Sequence, residues 1–308
     1  MKIIQVTASY KPAVIYGGPT MSVSKLSEQL NKNNIDTEVV TTLANGKTEL
    51  GFPVGKVTRI ENVPVRFFKR ITKDHSHFSP GLIKYLLKLR KSETTIVHIH
   101  AWWNLVSMFG CAIAQLKKIP VVLSPRGTLS NYSFNNKHNL FKFWIHLLAG
   151  KKLLSNCCFH VTSEAEKSEI LQLINPEKIQ VISNFLTLPI RFDFKSDRKS
   201  AILKLLLILP SYNENFGNVV IESLAVGTPV LISNKVGLAD YIIKNKLGWT
   251  FENQPEKLRK ALTEINTNKS ELDEIRFRSP QKIKEDFSDE MLVNQYINFY
   301  KEVITDYN

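Results

Sequence analysis

Leu209-Pro210-Ser211-Tyr212-Asn213-Glu214-Asn215-Phe216-Gly217-Asn218-Val219-Val220-Ile221-Glu222-Ser223-Leu224-Ala225-Val226-Gly227-Thr228-Pro229-Val230 reads as a strand end, a loop, a helix and the start of a second strand. Residues 203–209 are mostly leucine, a strand-sized apolar run. Pro210 has no N–H for a sheet ladder and closes it. The loop that follows is polar and carries Glu214, Gly217 opens a helix over 219–226, and a strand follows over 229–233. Buried strands alternating with helices build a parallel sheet covered on both faces, and such sheets bind ligands at the carboxyl ends of their strands. Glu222 falls about 6 Å above the start of its helix, so Glu214 and Glu222 flank the positive end of a helix dipole. The amides of Phe216, Gly217 and Asn218 are placed to cradle a phosphate or sugar hydroxyls. Carboxylates suit polyhydroxyl ligands because each accepts two hydrogen bonds. Spacing alone favours the plainer reading, a capped helix with solvated acids.

The same alternation extends in both directions. Strands are expected at 2–7, 36–41, 63–68, 95–99, 120–124, 158–162 and 179–182. Helices are expected at 20–33, 80–91, 105–117, 140–154 and 163–174, the last opening on the capping-box pair Ser163 and Glu166. Beyond the central stretch come helices at 238–244, 255–265 and 289–304 and a short strand at 249–251. Both halves predict α/β, Rossmann-like, doubly wound parallel sheets. The first domain is expected over 1–187, a charged linker over 188–204 and a second, smaller domain over 205–308. The second domain offers three strands where a free-standing doubly wound domain has five or six. At ~30 residues per βα repeat, it is short by roughly 60–90 residues.

Composition bounds the function classes. With 308 residues, 43% hydrophobic and 22% charged, the chain is neither disordered nor fibrous. Lys+Arg of 41 against Asp+Glu of 28 gives a net charge of +13, which calls for an anionic partner: nucleic acid, a phosphorylated ligand or an acidic membrane surface. Cys111, Cys157 and Cys158 have no metal-ligand spacing and read as reduced thiols. The apolar run 3–6 is too short for a signal peptide, and no run reaches the ~18 residues of a spanning helix, so a cytoplasmic location is expected.

The central stretch resembles the signature of the group 1 (family 4) retaining glycosyltransferases: Glu, seven residues, Glu, inside a Ser-x-x-Glu-x-Phe-Gly loop and ahead of an Ala-x-Gly-x-Pro-Val strand. Glu214 and Glu222, Phe216-Gly217 and Gly227-Thr228-Pro229-Val230 carry the match. Asn234-Lys235-Val236-Gly237-Leu238-Ala239-Asp240-Tyr241-Ile242 continues it, with Asp240 where Glu is common, and it runs on through Gly248. Gly17-Gly18-Pro19 is similar to the family's Gly-Gly loop after the first strand. Val97-His98-Ile99-His100-Ala101-Trp102-Trp103-Asn104 is similar to its cleft-facing strand end. The resemblance implies a GT-B fold and a nucleotide-sugar donor. Glu214, with Asn215 and the Phe216-Gly217-Asn218 amides, would contact the transferred sugar, and Glu222 would bind the ribose hydroxyls. Gly17 and Gly18 would face phosphate or acceptor. His100 would face the cleft, whereas His98 reads as a core residue. Arg126, in Ser124-Pro125-Arg126-Gly127-Thr128-Leu129, stands where many relatives carry a sugar-contacting histidine and would hold a phosphate. No Asp-x-Asp pair sits in a suitable loop, so no metal and no cofactor are expected. The C-terminal helix would return to the N-terminal domain.

Two departures stand out. Val181-Ile182-Ser183-Asn184-Phe185 matches the family's interdomain hinge except that Phe185 replaces a glycine. The Arg and Lys that neutralise the departing diphosphate in the family have no counterpart: Arg191, Arg198, Lys199 and Lys204 lie on a polar stretch without strand or glycine. Their loss removes transition-state stabilisation worth several kcal/mol. Two readings follow. The first is a retaining glycosyltransferase acting on a glycan acceptor, lipid-linked, in surface-polysaccharide assembly. The alternative is a truncated, catalytically impaired member serving as an acceptor-binding or scaffold protein. Residues 136–152 mix lysines, aromatics and aliphatics and suit peripheral contact with an anionic membrane face, although a core-packed helix explains them too. No nucleic-acid-binding motif occurs.

Overall fold

The computed structural model describes residues 1–130, 150–188 and 206–307. The chain divides into two compact units, one formed by Met1–Phe185 with Leu292–Asn308, the other by Leu186–Met291.

The first unit contains β1 (Lys2–Val6), β2 (Asp36–Thr42), β3 (Ala44–Asn45), β4 (Thr48–Glu49), β5 (Val57–Ile60), β6 (Val63–Phe68), β7 (Thr95–His100), β8 (Val121–Ser124), β9 (Cys158–Val161) and β10 (Lys178–Val181). Eight of them form one sheet in the order β10-β9-β8-β7-β1-β2-β6-β5, and β3 pairs only with β4. Among the described residues five helices accompany them: α1 (Gly18–Lys32), α2 (Pro80–Leu87), α3 (Leu105–Leu116), α4 (Lys151–Ser155) and α5 (Glu164–Leu173). Ile3, Ile4 and Val6 on β1 and Ile96, Val97 and Ile99 on β7 are all buried, as strands covered on both faces must be. The order reverses between β1 and β7, so the loops after these strands flank the topological switch point, where doubly wound sheets bind ligands.

One edge differs from the expected parallel sheet. β5 runs antiparallel to β6, joined through Glu61 and Asn62. Both have positive φ, 48° and 69°, the geometry of a two-residue hairpin turn. Such turns favour glycine, and Glu-Asn hides the hairpin from a sequence reading.

The second unit contains β11 (Leu207–Leu209), β12 (Val230–Ser233) and β13 (Gly248–Phe251), parallel in the order β11-β12-β13. Its helices are α6 (Asn218–Ala225), α7 (Ala239–Asn245), α8 (Pro255–Thr267) and α9 (Lys269–Asp286). Val230 and Ile232 join a core with Val220, Ile221 and Leu224 of α6, Ile242 of α7, and Ile275 and Ile283 of α9. Leu231, in another core cluster, packs with Phe251 and with Ile265 of α8. Among the described residues a three-stranded sheet is thus sandwiched by helices. The sequence reading has no counterpart of α9, which is polar and holds Pro280. It folds because Ile275, Ser279, Pro280 and Ile283 form a narrow buried stripe, and the Ser279 hydroxyl donates to the Leu224 carbonyl at 3.0 Å.

α10 (Asp289–Tyr307) leaves the second unit and, from Leu292 onward, belongs to the first. Leu292, Val293, Tyr296, Phe299, Tyr300 and Val303 form its buried face. Phe185 stacks on Tyr296, ring centroids 5.6 Å apart and 19° between planes. The aromatic ring in place of the hinge glycine is therefore a packing residue. Most of the charged linker and of the helix expected at 140–154 lies outside the described residues, and with it most of the lysine- and aromatic-rich segment 136–152. No helix among the described residues is long and apolar enough to cross a membrane.

Candidate functional site

In the second unit, Glu214 sits on the loop between β11 and α6 and is half-buried. Its backbone is pinned on both sides: its N–H donates to the Lys235 carbonyl at 3.1 Å, and its carbonyl accepts from Gly237 at 2.8 Å. The loop after β12 therefore fixes where Glu214 starts. Gly217 caps α6 at φ 95° and ψ 61°, a left-handed geometry that costs a side-chain-bearing residue about 1–2 kcal/mol. A Cβ there would also lie 2.9 Å from Val236 Cγ1 and 3.6 Å from Glu214 Cγ. The Glu214 side-chain stem thus lies against the turn that opens α6. Asn215 and Asn218 are half-buried beside it, while Phe216 turns its ring into the core against Phe287, centroids 6.3 Å apart. Glu222 lies exposed on α6, next to the buried Ile221. These groups gather at the carboxyl edge of the second sheet, and α6 aims the positive end of its dipole along the same edge.

In the first unit, Gly17 (φ 66°, ψ −145°) precedes α1, which opens with Gly18 and Pro19 after β1. Nothing lies within 4 Å of where a Gly17 Cβ would stand, so the backbone there is open. Arg126 follows β8 with φ 52°. Its Nη1 donates to Asn184 Oδ1 at 2.7 Å, and its Nε faces His100 Nδ1 at 3.4 Å. The next amide, Gly127 N–H, donates to Glu166 Oε1 at 2.8 Å, and Glu166 Oε2 accepts from Thr162 N–H, also at 2.8 Å. Ser163 accepts from the Glu166 amide at 3.2 Å, the capping contact expected at the start of α5. The carboxylate of the same residue reaches across to hold the Arg126 loop.

His100 is a correction. Expected to face the cleft, it is 2% exposed, and its Nε2 lies 2.6 Å from Gln5 Oε1. Both its ring nitrogens are engaged inside the protein, Nε2 by Gln5 and Nδ1 by Arg126. His98 is fully buried, as a core residue should be, between Tyr300 and Ser124. Burial holds His98 and His100 well below the ordinary histidine range, helped by neighbouring His160 for the former and by the His98 ring for the latter. Burial and the Arg126 charge push His160 down to about 3. Sequence reasoning gave no role to Gln5, His160, Glu166, Asn184 or Tyr300 at this edge. One signal was available: polar Gln5 and His160 interrupt apolar strands that are buried on both faces.

The structure thus brings together Arg126, His100 and Asn184 in the first unit, and Glu214 with Gly217 in the second. Both groups lie at carboxyl strand edges. Residues 16–188 match the family model described as Glycosyltransferase Family 4, and residues 191–282 match the model described as Glycosyl transferases group 1. The first match covers more than half of the chain: the protein belongs to glycosyltransferase family 4. An uncharacterized glycosyltransferase of Methanocaldococcus jannaschii is 21% identical over 403 residues, spanning 98% of each chain. Sucrose-phosphate synthase from Thermosynechococcus elongatus shares the fold with a TM-score of 0.71 at 15% identity, covering 99% of this chain and 100% of that one. Anabaena HepE in complex with UDP-glucose gives 0.64 at 13% identity, covering 98% and 100%. A variant of S. aureus TarM, in complex with fondaparinux, α-GlcNAc-glycerol and UDP, gives 0.61 at 13%, covering 97% and 99%. At such identities the likeness is one of fold, the GT-B fold of two Rossmann-like domains.

Proposed function

We propose that the protein transfers a sugar, with retention, from a nucleotide-sugar donor to a glycan acceptor, lipid-linked, in surface-polysaccharide assembly at the cytoplasmic membrane face. The observation that carries this reading is the Glu214–Gly217 turn. It sets a half-buried carboxylate against a left-handed glycine at the opening of α6, where free amides and a helix dipole meet anionic or polyhydroxyl ligands. Glu214 contacts the transferred sugar, Glu222 takes the ribose hydroxyls, and the backbone of Phe216, Gly217 and Asn218 lies under the donor. Gly17 and Gly18 give phosphate or acceptor close access to backbone. Arg126 offers a planar guanidinium to the diphosphate, and the reaction uses no resident metal. The HepE and TarM structures, which hold UDP or UDP-glucose, support the donor class.

A second reading, an acceptor-binding protein without turnover, draws on the short second sheet. Three parallel strands are present among the described residues. The alignment to the archaeal relative is 403 residues long against a chain of 308. One assay separates the two: nucleoside diphosphate release from a panel of sugar nucleotides with extracted lipid acceptor. Release with one donor supports the transferase. No release from a folded sample, under conditions where a full-length relative turns over, rejects it.

A further inference from the structure

The loop that carries Arg126 is held in a conformation that its own residues disfavour. Arg126 and Gly127 are the central pair of a tight turn, both at positive φ, 52° and 77°. Thr128 N–H closes the turn on the Pro125 carbonyl at 3.1 Å. Two left-handed residues in succession mark a mirror-image turn, where glycine is at ease and arginine is strained. Such strain persists only where the surroundings over-determine it.

Glu166 of α5 is the surrounding group that grips the middle of the turn. It is 3% exposed. Its Oε1 accepts from Gly127 N–H at 2.8 Å, while Oε2 accepts from Thr162 N–H at 2.8 Å and from the Thr162 hydroxyl at 3.1 Å. Helix capping accounts for the contacts beside Ser163. It does not account for Oε1, which crosses to a loop 39 residues earlier in the chain. Arg126 extends from that loop with Nε toward His100 Nδ1 at 3.4 Å and Nη1 donating to Asn184 Oδ1 at 2.7 Å. Its Nη2 donates to none of the described residues, which leaves that edge of the guanidinium for an anion.

We propose that Glu166 is a positioning residue for Arg126: it pins the Gly127 amide and so keeps Arg126 in the left-handed turn from which the guanidinium reaches His100, Asn184 and an anionic ligand. The proposal rests on Arg126 acting as the anion-binding group. Released from Glu166, the turn relaxes to negative φ at Arg126, and the side chain swings off His100 and Asn184.

Glu166 has two effects on a bound anion, and they carry opposite signs. As a negative charge behind the turn it repels the ligand, so losing it would tighten binding. As a clamp it aims the cation, so losing it weakens binding. Glu166→Gln separates the two: the amide keeps the size, drops the charge and offers an oxygen to only one of the two N–H groups. Glu166→Asp keeps the charge but falls one methylene short of the turn.

Calorimetry of the full chain with inorganic pyrophosphate reads the affinity. Both variants should bind roughly three- to tenfold more weakly than the wild type, with no further loss in an Arg126→Ala background. ¹H–¹⁵N spectra read the geometry. In the wild type the Gly127 amide should be protected from exchange, and Arg126 Nε–H should give a resolved peak, identified as the one missing in Arg126→Lys. Both Glu166 variants should lose that peak. Equal or tighter pyrophosphate binding by folded Glu166→Gln or Glu166→Asp protein overturns the proposal. A freely exchanging Gly127 amide in the wild type does so without any variant having to fold. So does a Glu166→Gln loss that persists undiminished in the Arg126→Ala background. If Arg126→Ala itself leaves pyrophosphate affinity unchanged, the anion-site reading fails and this one falls with it, a result distinct from the others.

Discussion

At the scale of single residues, Gly217 and Glu222 make opposite predictions. Gly217 is held left-handed, and a Cβ would press on Val236 at 2.9 Å. Gly217→Ala should therefore lower stability by about 2 kcal/mol and disturb the proposed donor site; an unchanged urea midpoint would contradict the local geometry. Glu222 is exposed on α6. Glu222→Ala should leave stability within about 0.5 kcal/mol yet weaken nucleotide binding. Calorimetry with UDP, GDP and ADP checks it, and equal affinities for wild type and variant would remove Glu222 from the site. Both residues stood out in the sequence because their spacing and the Phe-Gly turn are local features. His100 was misplaced because nothing local reveals that Gln5, far away in the chain, takes up its second nitrogen.

At the scale of elements, β7 and β9 bring three neutral histidines, His98, His100 and His160, under one strand edge. The unfolded chain takes up protons on these groups below about pH 6.5, while the fold holds them neutral to lower pH. Stability should thus be full above that value and fall as pH drops. The slope approaches 1.4 kcal/mol per unit for each group, or about 4 for the three together. His77, pushed down to about 4 by burial, adds to the trend. Urea titrations from pH 7.5 to 5 should show a falling midpoint; a flat profile would mean the histidines are charged or solvated in the fold. The elements themselves were legible wherever apolar runs are contiguous, as in 63–68, which is β6 to the residue. The β5–β6 hairpin and α9 were not. Each is held by a device that pattern alone does not carry: a glycine-free turn in one case, a four-residue buried stripe around a proline in the other.

At the scale of the whole molecule, α10 completes the first unit. It contributes six buried side chains and the Tyr300 hydroxyl. Ending the chain after Ser288 should therefore cost more than the ~5–15 kcal/mol that separates a folded domain from an unfolded one. Burial of large aromatic side chains is worth several kcal/mol each on truncation. Circular dichroism and proteolysis would show the first unit destabilised, and a native-like, protease-resistant first unit would contradict the packing. The chain begins the first unit, builds all of the second, and only then returns. His98 and Tyr300 are 202 residues apart in sequence. On the ribosome, the early-made unit must therefore wait with its histidine-lined underside uncovered until the later-made unit has emerged. Closing so long a loop also makes this the slow step of folding, so the second unit should become protease-resistant before the first.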